Sequence, residues 1–314
     1  MDFPIQDLMD EDKCYHLLLE LLHPEGLRCP RCQASEGFFV HRYFREPVLD
    51  YRCPCGCVFN AWTGTVLQGT HDRPAQLVLL LRGFAHGVSS AQLARELSCS
   101  CKNVLKLRHK LQSLVRSGLD RTPLKDAEVE ADEMYQNAGE KGIPHPDPDD
   151  PPRRRANQRR GHGTMENDRP PVVGIVGRDS GHVRLEVVEH ADQPTLNAHV
   201  GKSTTTGAMV YTDEWGGYNA IPELGRRHAT VCHTPGRREW ARDDDGDGVR
   251  EVHNNTLEGI WTGLRNFLRT FRGVNKKYLG QYIAIFEWGY NIKGVTKEFL
   301  RVLLGVKVAI NLAT

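Results

Sequence analysis

Nine cysteines are spread over the 314 residues, and five of them fall between Cys29 and Cys57. Cys29-Pro-Arg-Cys32 forms a two-residue knuckle, and Cys53-Pro-Cys55-Gly-Cys57 follows it further along the chain. Thiolates on two tight turns can converge on a tetrahedral zinc ion, and the segments between them supply hairpins. Cys29, Cys32, Cys53 and Cys55 are the expected ligands, with Cys57 a spare that could replace Cys53. Four protein ligands fill a tetrahedron, so this would be a structural metal, stapling a unit too small to fold on its core alone. Cys99, Cys101, Cys14 and Cys232 read as ordinary small buried thiols.

Carboxylates suggest a second chemistry. Asp132 lies within an alternating strand pattern, VEADEMY, and Asp213 ends the strand AMVYTDEW. Acids at strand ends of an α/β sheet converge near the crevice where ligands bind. Glu258 lies on a helix that begins near Asn254. Three such groups could hold two divalent cations about 4 Å apart, suited to phosphodiester cleavage and transfer. Mg²⁺ fits an all-oxygen site that keeps several waters, with Mn²⁺ as an alternative. Glu133 and Glu214 compete for the same roles, but strand alternation allows one of each adjacent pair to face the site. Asn254, Glu258, Trp261 and Arg265 share one helix face, while Leu257, Ile260, Leu264, Phe267 and Phe271 should pack on the sheet. Arg265, Arg269, Arg272 and Lys276 read as a basic stripe along that helix. The run Asp243-Asp-Asp245-Gly-Asp247-Gly248 resembles the start of a calcium loop. Its twelfth position is Asn254, where a bidentate Glu is needed, so a flexible acidic turn is expected instead.

The elements that would carry these groups divide the chain into expected domains at 1–70, 71–122 and 123–314. The first holds a short amphipathic helix, with Leu17, Leu18, Leu21 and Leu22 on one side, and the cysteine-bearing β unit. The second reads as helix, tight break, longer helix, which is the helix-turn-helix pattern. Lys102, Lys106, Arg108 and Lys110 decorate its second helix as candidate DNA-phosphate contacts. The third alternates strands and covering helices as an α/β domain, including a hairpin turned at Asp179-Ser180-Gly181. It is interrupted at 143–168 by a Pro-rich, basic insertion expected to be a mobile loop, whose five arginines, Arg153, Arg154, Arg155, Arg159 and Arg160, could track phosphates.

Charge is balanced, 41 Lys+Arg against 40 Asp+Glu, so nucleic-acid binding would rest on local basic faces. A hydrophobic share of 39% excludes wholesale disorder. The acidic start lacks the features of a signal peptide, and aliphatic runs such as Leu77–Leu81 are too short for a bilayer. A soluble, cytoplasmic and nucleoid-associated protein with no membrane partner is expected.

In order, CPRC, YRCPCGCVFNAWTGT, VEADEMYQNAGEKG, VYTDEWGGY and VHNNTLEGIW resemble the bacterial insertion-sequence DDE transposases that carry an N-terminal zinc ribbon. That resemblance spans residue 27 to about 290. It implies a multidomain chain: a small zinc-ribbon β unit, a helix-turn-helix and an α/β RNase H-like catalytic domain. It also implies Asp132, Asp213 and Glu258 as metal-holding acids, one structural Zn²⁺ and two catalytic Mg²⁺ (or Mn²⁺). The partners would be double-stranded DNA, as terminal inverted repeats and target, with a homo-oligomer forming on it. In that subgroup a basic residue, commonly Lys, lies seven positions after the last acid. Arg265 stands there, keeping the charge but as a planar fork. The third acid varies among Glu, Asn and His in the subgroup, and Asn254 and Asn255 lie within a turn of Glu258. Two other functions remain open on this reading: a DNA-binding regulator on an inactive catalytic domain, and a structure-specific nuclease of the same fold.

Overall fold

The computed structural model describes residues 5–142, 149, 161–234, 236–237, 239–293 and 297–306. Packing divides the chain into two compact units. Leu119–Asn291 forms one, and Met1–Gly118 with Ile292–Thr314 forms the other.

In the N-terminal unit, α1 (Glu11–Leu22) starts where the Asp10 carboxylate accepts the Lys13 N–H, satisfying a donor that the helix leaves free. It buries Leu17, Leu18, Leu21 and Leu22, as their spacing predicts. Strands β1 (Phe39–Arg42), β2 (Asp50–Arg52) and β3 (Val58–Phe59) form an antiparallel sheet in that order. Helices α2 (Pro74–Ala85), α3 (Ser90–Glu96) and α4 (Cys101–Gly118) follow. Gly87 ends α2 in the left-handed region, with φ of 70°, and the Ser89 hydroxyl caps α3 by accepting the Gln92 N–H.

Arg108 departs from its expected role. It is fully buried: its Nε donates to the Ser90 hydroxyl at 2.8 Å, its Nη2 to the Val88 carbonyl, and its guanidinium lies 4.4 Å from the centre of the Phe84 ring. A guanidinium spent on joining α4 to α2 and α3 cannot also meet a phosphate. Lys102, Lys106 and Lys110 remain exposed, with Lys110 donating to the Val66 carbonyl.

The third expected domain also needs correcting at its end. Helix α8 (Lys297–Leu303) clusters with the N-terminal unit. Lys297 pairs with Glu20 of α1 at 2.9 Å, and a Cβ on Gly118 of α4 would lie 3.8 Å from Val302. Because these partners are distant in sequence, a division by local texture could not find them.

The second unit is built on a five-stranded sheet in the order β6-β5-β4-β7-β8. Its strands are β4 (Glu128–Tyr135), β5 (Pro171–Gly177), β6 (Val183–Val187), β7 (Met209–Asp213) and β8 (Arg227–Val231). β4, β5 and β6 run antiparallel as a meander, whereas β7 and β8 run parallel to β4. Helix α5 (Gln193–Ser203) covers one face, where Leu196 and Val200 pack on Val129, Ala131, Val173, Ile175 and Val210. The opposite face carries α6 (Asn255–Arg269) and α7 (Lys276–Ile292). There Leu257, Ile260, Trp261 and Leu264 meet Met134, Val172, Val176 and Leu185. This is the expected α/β arrangement.

The basic stripe does not continue as its spacing suggests. α6 ends at Arg269, Arg272 lies beyond it with φ of 51°, and Lys276 is held by Asp168 at 3.1 Å. Most of the Pro-rich insertion, including its five arginines, lies outside the described residues. No helix among the described residues is long and apolar enough to cross a membrane.

Candidate active site and cysteine cluster

The sulphurs of Cys29, Cys32, Cys53 and Cys55 all lie within 4.8 Å of one another. Cys29 and Cys55 are 3.6 Å apart, and Cys32 and Cys53 are 3.5 Å apart. A tetrahedron with Zn–S bonds of about 2.3 Å has edges of about 3.8 Å, so the quartet has the size that four-sulphur ligation requires. Cys57 stands outside it, next to the Val58 carbonyl. Around the quartet, among the described residues, Phe59 is packed with Leu27, Ala34, Phe38 and Tyr51, a small apolar core for a fold to rest on unaided. Burial pushes the Cys29 thiol up, but N–H groups of Cys32 and Arg31 outweigh it and bring it down to about 6. Cys53 moves the other way, to about 12: the Cys55 N–H favours its thiolate, but burial and the crowding sulphurs prevail. Four sulphurs this close cannot all ionise without a cation between them, which is the condition a bound metal meets.

The carboxylates come together differently. On β4 and β7 the register pairs Glu128 with Met209, Val129 with Val210 and Glu130 with Tyr211. Continued by two residues, that register sets Asp132 and Asp213 side by side on neighbouring parallel strands. Alternation puts both on the α6 face, and sends Glu133 to the other face, where it accepts a 2.8 Å bond from the Tyr218 hydroxyl. Helix α6 then crosses this face. Its Trp261 indole lies over Gly174, the β5 partner of Asp132, and its Nε1–H donates to Asp132 Oδ2 at 2.8 Å. A Cβ on Gly174 would come within 2.5 Å of that indole, so only glycine lets the ring lie flat across the sheet.

Glu130, wholly buried two residues before Asp132, fixes where α6 begins. It accepts from the Leu257 N–H at 3.1 Å and the Thr256 hydroxyl at 2.9 Å. Arg178 balances its charge through Nε at 3.1 Å. A carboxylate at free helix-start N–H groups is a favourable cap, and this one comes from the strand that carries Asp132. Glu258, one turn into the helix and three residues before Trp261, is thereby brought to the same end of the sheet. Among the described residues, however, the oxygens of Asp132, Asp213 and Glu258 do not close into a group as tight as the four sulphurs.

Electrostatics at this end favour a cation. Asp132 is pushed well above the usual carboxylate range by burial first, then by Glu133 and Asp213; the Trp261 N–H offsets part of this. Asp213 is raised by burial, with the Trp215 N–H at 3.0 Å as partial compensation. Among the described residues neither forms an ion pair, and His233 and His162 offset only part of the rise at Asp213, so a divalent ion would supply the missing counter-charge.

His233, just past the end of β8, escaped the sequence reading. Its N–H donates to Glu214 at 2.8 Å, its Nε2 lies 3.3 Å from Asn254 Oδ1 and 3.9 Å from Glu258 Oε1, and its ring rests on Trp240. The only available hint was a histidine closing a short strand, and its relevance depends on β8 lying beside β7. On the rim, His162 stacks on the exposed Trp215 and bonds the Tyr135 hydroxyl at 2.8 Å. Arg265 is exposed on α6. The carboxylates of Asp243, Asp245 and Asp247 gather within 4.8 Å in the acidic turn before α6.

The chain is similar to a protein of the transposable element ISH50 of Halobacterium salinarum, described as uncharacterized. The two are 29% identical over 308 residues, 96% of this chain and 98% of that one. Among solved structures, a simian T-cell lymphotropic virus intasome in complex with the PP2A regulatory subunit B56 gamma overlaps 74% of this chain and 78% of its own, at 14% identity and a TM-score of 0.32. The HTLV-2 integrase catalytic core domain in complex with magnesium overlaps 58% and 99%, at 11% identity and a TM-score of 0.29. Both overlaps are loose. The model of the ISXO2-like transposase domain matches residues 123–291, just over half of the chain and nearly the whole sheet-bearing unit. The chain therefore belongs to the family defined by the ISXO2-like transposase domain.

Proposed function

We propose that the protein is a DNA transposase that binds the terminal inverted repeats of its element, cleaves at those ends and transfers the freed 3′ end to target DNA. The observation that carries this reading is the register of Asp132 and Asp213 on adjacent parallel strands, with Glu258 brought over them by a helix anchored to the same strand. The meander followed by two parallel strands is consistent with the RNase H-like domain that the sequence resemblance implies.

Asp132, Asp213 and Glu258 would hold two Mg²⁺ ions, with Mn²⁺ able to replace them. Such ions, when bound, activate a water or a 3′-hydroxyl and stabilise the leaving oxygen. The chain's own contribution is placement. Trp261 orients the Asp132 carboxylate, the partial burial of both aspartates limits competing solvent, and Glu130 sets the start of the helix that presents Glu258. Arg265 would contact the DNA backbone. The exposed Lys102, Lys106 and Lys110 of α4 would take phosphates in a helix-turn-helix reading of α3 and α4. Cys29, Cys32, Cys53 and Cys55 would hold one zinc ion as scaffold. A homo-oligomer would pair the two element ends.

The test is incubation of the full chain with duplexes carrying the element's terminal repeats, with Mg²⁺ and a second target duplex. Cutting at the repeat end and joining of the 3′ end are expected. Binding without cutting would replace this reading with a DNA-binding regulator, and cutting without joining would replace it with a structure-specific nuclease.

A further inference from the structure

We infer that His233 is a positioning residue of the acid cluster, holding Glu258 and Asn254 of the α6 start against the ends of β7 and β8. The inference rests on the reading of the three acids as a divalent-metal site. Glu258 has a half-exposed side chain, and the basic side chain nearest to it among the described residues is His233, whose Nε2 lies 3.9 Å from Oε1. Nothing else described holds that carboxylate toward the sheet. Asn254 is buried, and its Oδ1 lies 3.3 Å from the same Nε2. One imidazole edge thus faces both the residue that precedes α6 and the acid one turn into it.

The histidine is itself well anchored. Its backbone N–H is held by Glu214, the residue after Asp213, and its ring lies 4.8 Å from the Trp240 ring centre. It therefore ties the strand end carrying one acid to the helix start carrying another. The ring's other nitrogen, Nδ1, is buried and has no hydrogen-bond partner among the described residues. Nδ1 therefore adds no hydrogen bond, and the ring contacts described are those of its Nε2 edge and of Trp240. With Asn254 Oδ1 as acceptor, Nε2 carries the proton, and the same ring edge faces Glu258 Oε1 at 3.9 Å as a contact rather than a hydrogen bond. Loss of a group that orients a metal-binding side chain typically weakens metal affinity by about 10–100-fold.

The experiment compares His233→Ala, His233→Gln and His233→Asn in the full chain. A glutamine amide reaches where Nε2 sits, whereas an asparagine amide sits nearer Nδ1. Mn²⁺ binding is measured without DNA from the electron paramagnetic resonance signal of the free ion, and kcat and KM for cleavage are measured separately. The alanine and asparagine variants are expected to bind Mn²⁺ about ten-fold or more weakly and to lose kcat, with KM for DNA unchanged. The glutamine variant is expected to recover most of both. Equal Mn²⁺ affinity in wild type and His233→Ala would overturn the inference, as would equal behaviour of the glutamine and asparagine variants. If wild type binds no Mn²⁺, or binds it as well after Asp213→Asn, the metal-site reading itself fails. Thermal melting identifies an unfolded alanine variant, and the glutamine-against-asparagine comparison then decides alone.

Discussion

The cysteine quartet and the carboxylate trio prepare for a cation in opposite ways. The four sulphurs come from two tight turns, one before β1 and one between β2 and β3, and already sit at the spacing of a closed tetrahedron. The three acids come from two strands and a helix, and they share one end of the sheet without closing into a knot of similar size. A structural metal must be gripped on all sides, because its binding energy is folding energy. A catalytic pair must leave room for substrate oxygens and waters, and that openness costs the resting protein uncompensated negative charge. The first site stores its order in local sequence. The second borrows it from Glu130, Trp261, Gly174 and His233, residues brought in by the tertiary fold.

The largest expected effect is at the closed site. Cys29→Ser should abolish zinc binding and unfold the β1–β3 unit, since structural zinc contributes on the order of 10 kcal/mol in small domains. Zinc content by atomic emission and the proton spectrum of the unit check this; an unchanged zinc stoichiometry would contradict the assignment. At the open site, Asp132→Asn should lower cleavage by about a hundred- to a thousand-fold, the scale of losing one electrostatic stabiliser. Binding to element-end duplexes, read by fluorescence anisotropy, should stay as in wild type. The contrast is between a change that destroys a fold and a change that spares it.

Support for the open site is probed by Gly174→Ala. The new methyl would meet the Trp261 indole at 2.5 Å, so it should destabilise the unit by about 1–3 kcal/mol as overpacked cores do. It should also displace the indole from Asp132. Chemical denaturation measures the first effect, and the cleavage rate the second. The smallest effect concerns Glu287 of α7, which is buried beside β6 and accepts from the Leu185 N–H at 3.0 Å. Burial pushes its carboxyl up to about 7, with Arg121, 2.9 Å away, pulling the other way. A carboxyl raised above its unfolded value binds its proton more tightly in the folded state. Its contribution is therefore fully present below about pH 4.5 and is lost as pH rises through about 7. Glu287→Gln should shrink the difference in melting temperature between pH 5 and pH 8; an unchanged difference would show that this carboxyl is not the group titrating.

How far each region could be read from sequence follows the same contrast. Cys29, Cys32, Cys53 and Cys55 announce themselves because their spacing along the chain is their spacing in space. Asp132 and Asp213 stand at matching places on two apolar strands, and alternation says only that one of Asp132 and Glu133 faces the site. Glu258 could be placed on a helix face, but nothing local said what would steer it. Glu130 looked like one more strand acid until its bonds to Thr256 and Leu257 appeared, from a helix far along the chain. Arg108 carried the opposite error: a cation among exposed lysines looks solvated, and only the packing of α2 and α3 against α4 shows it buried. The helices of the sheet-bearing unit followed their periodicity, but α7 and the attachment of α8 to the N-terminal unit were not anticipated, because both depend on long-range contacts.

The most direct measurement is anomalous X-ray scattering from crystals of the full chain grown with Mn²⁺. Two manganese peaks about 4 Å apart, touching Asp132 and Asp213 with Glu258 on one of them, are the expected result. Manganese confined to the turn bearing Asp243, Asp245 and Asp247, with none between the strand-end aspartates, would contradict the account.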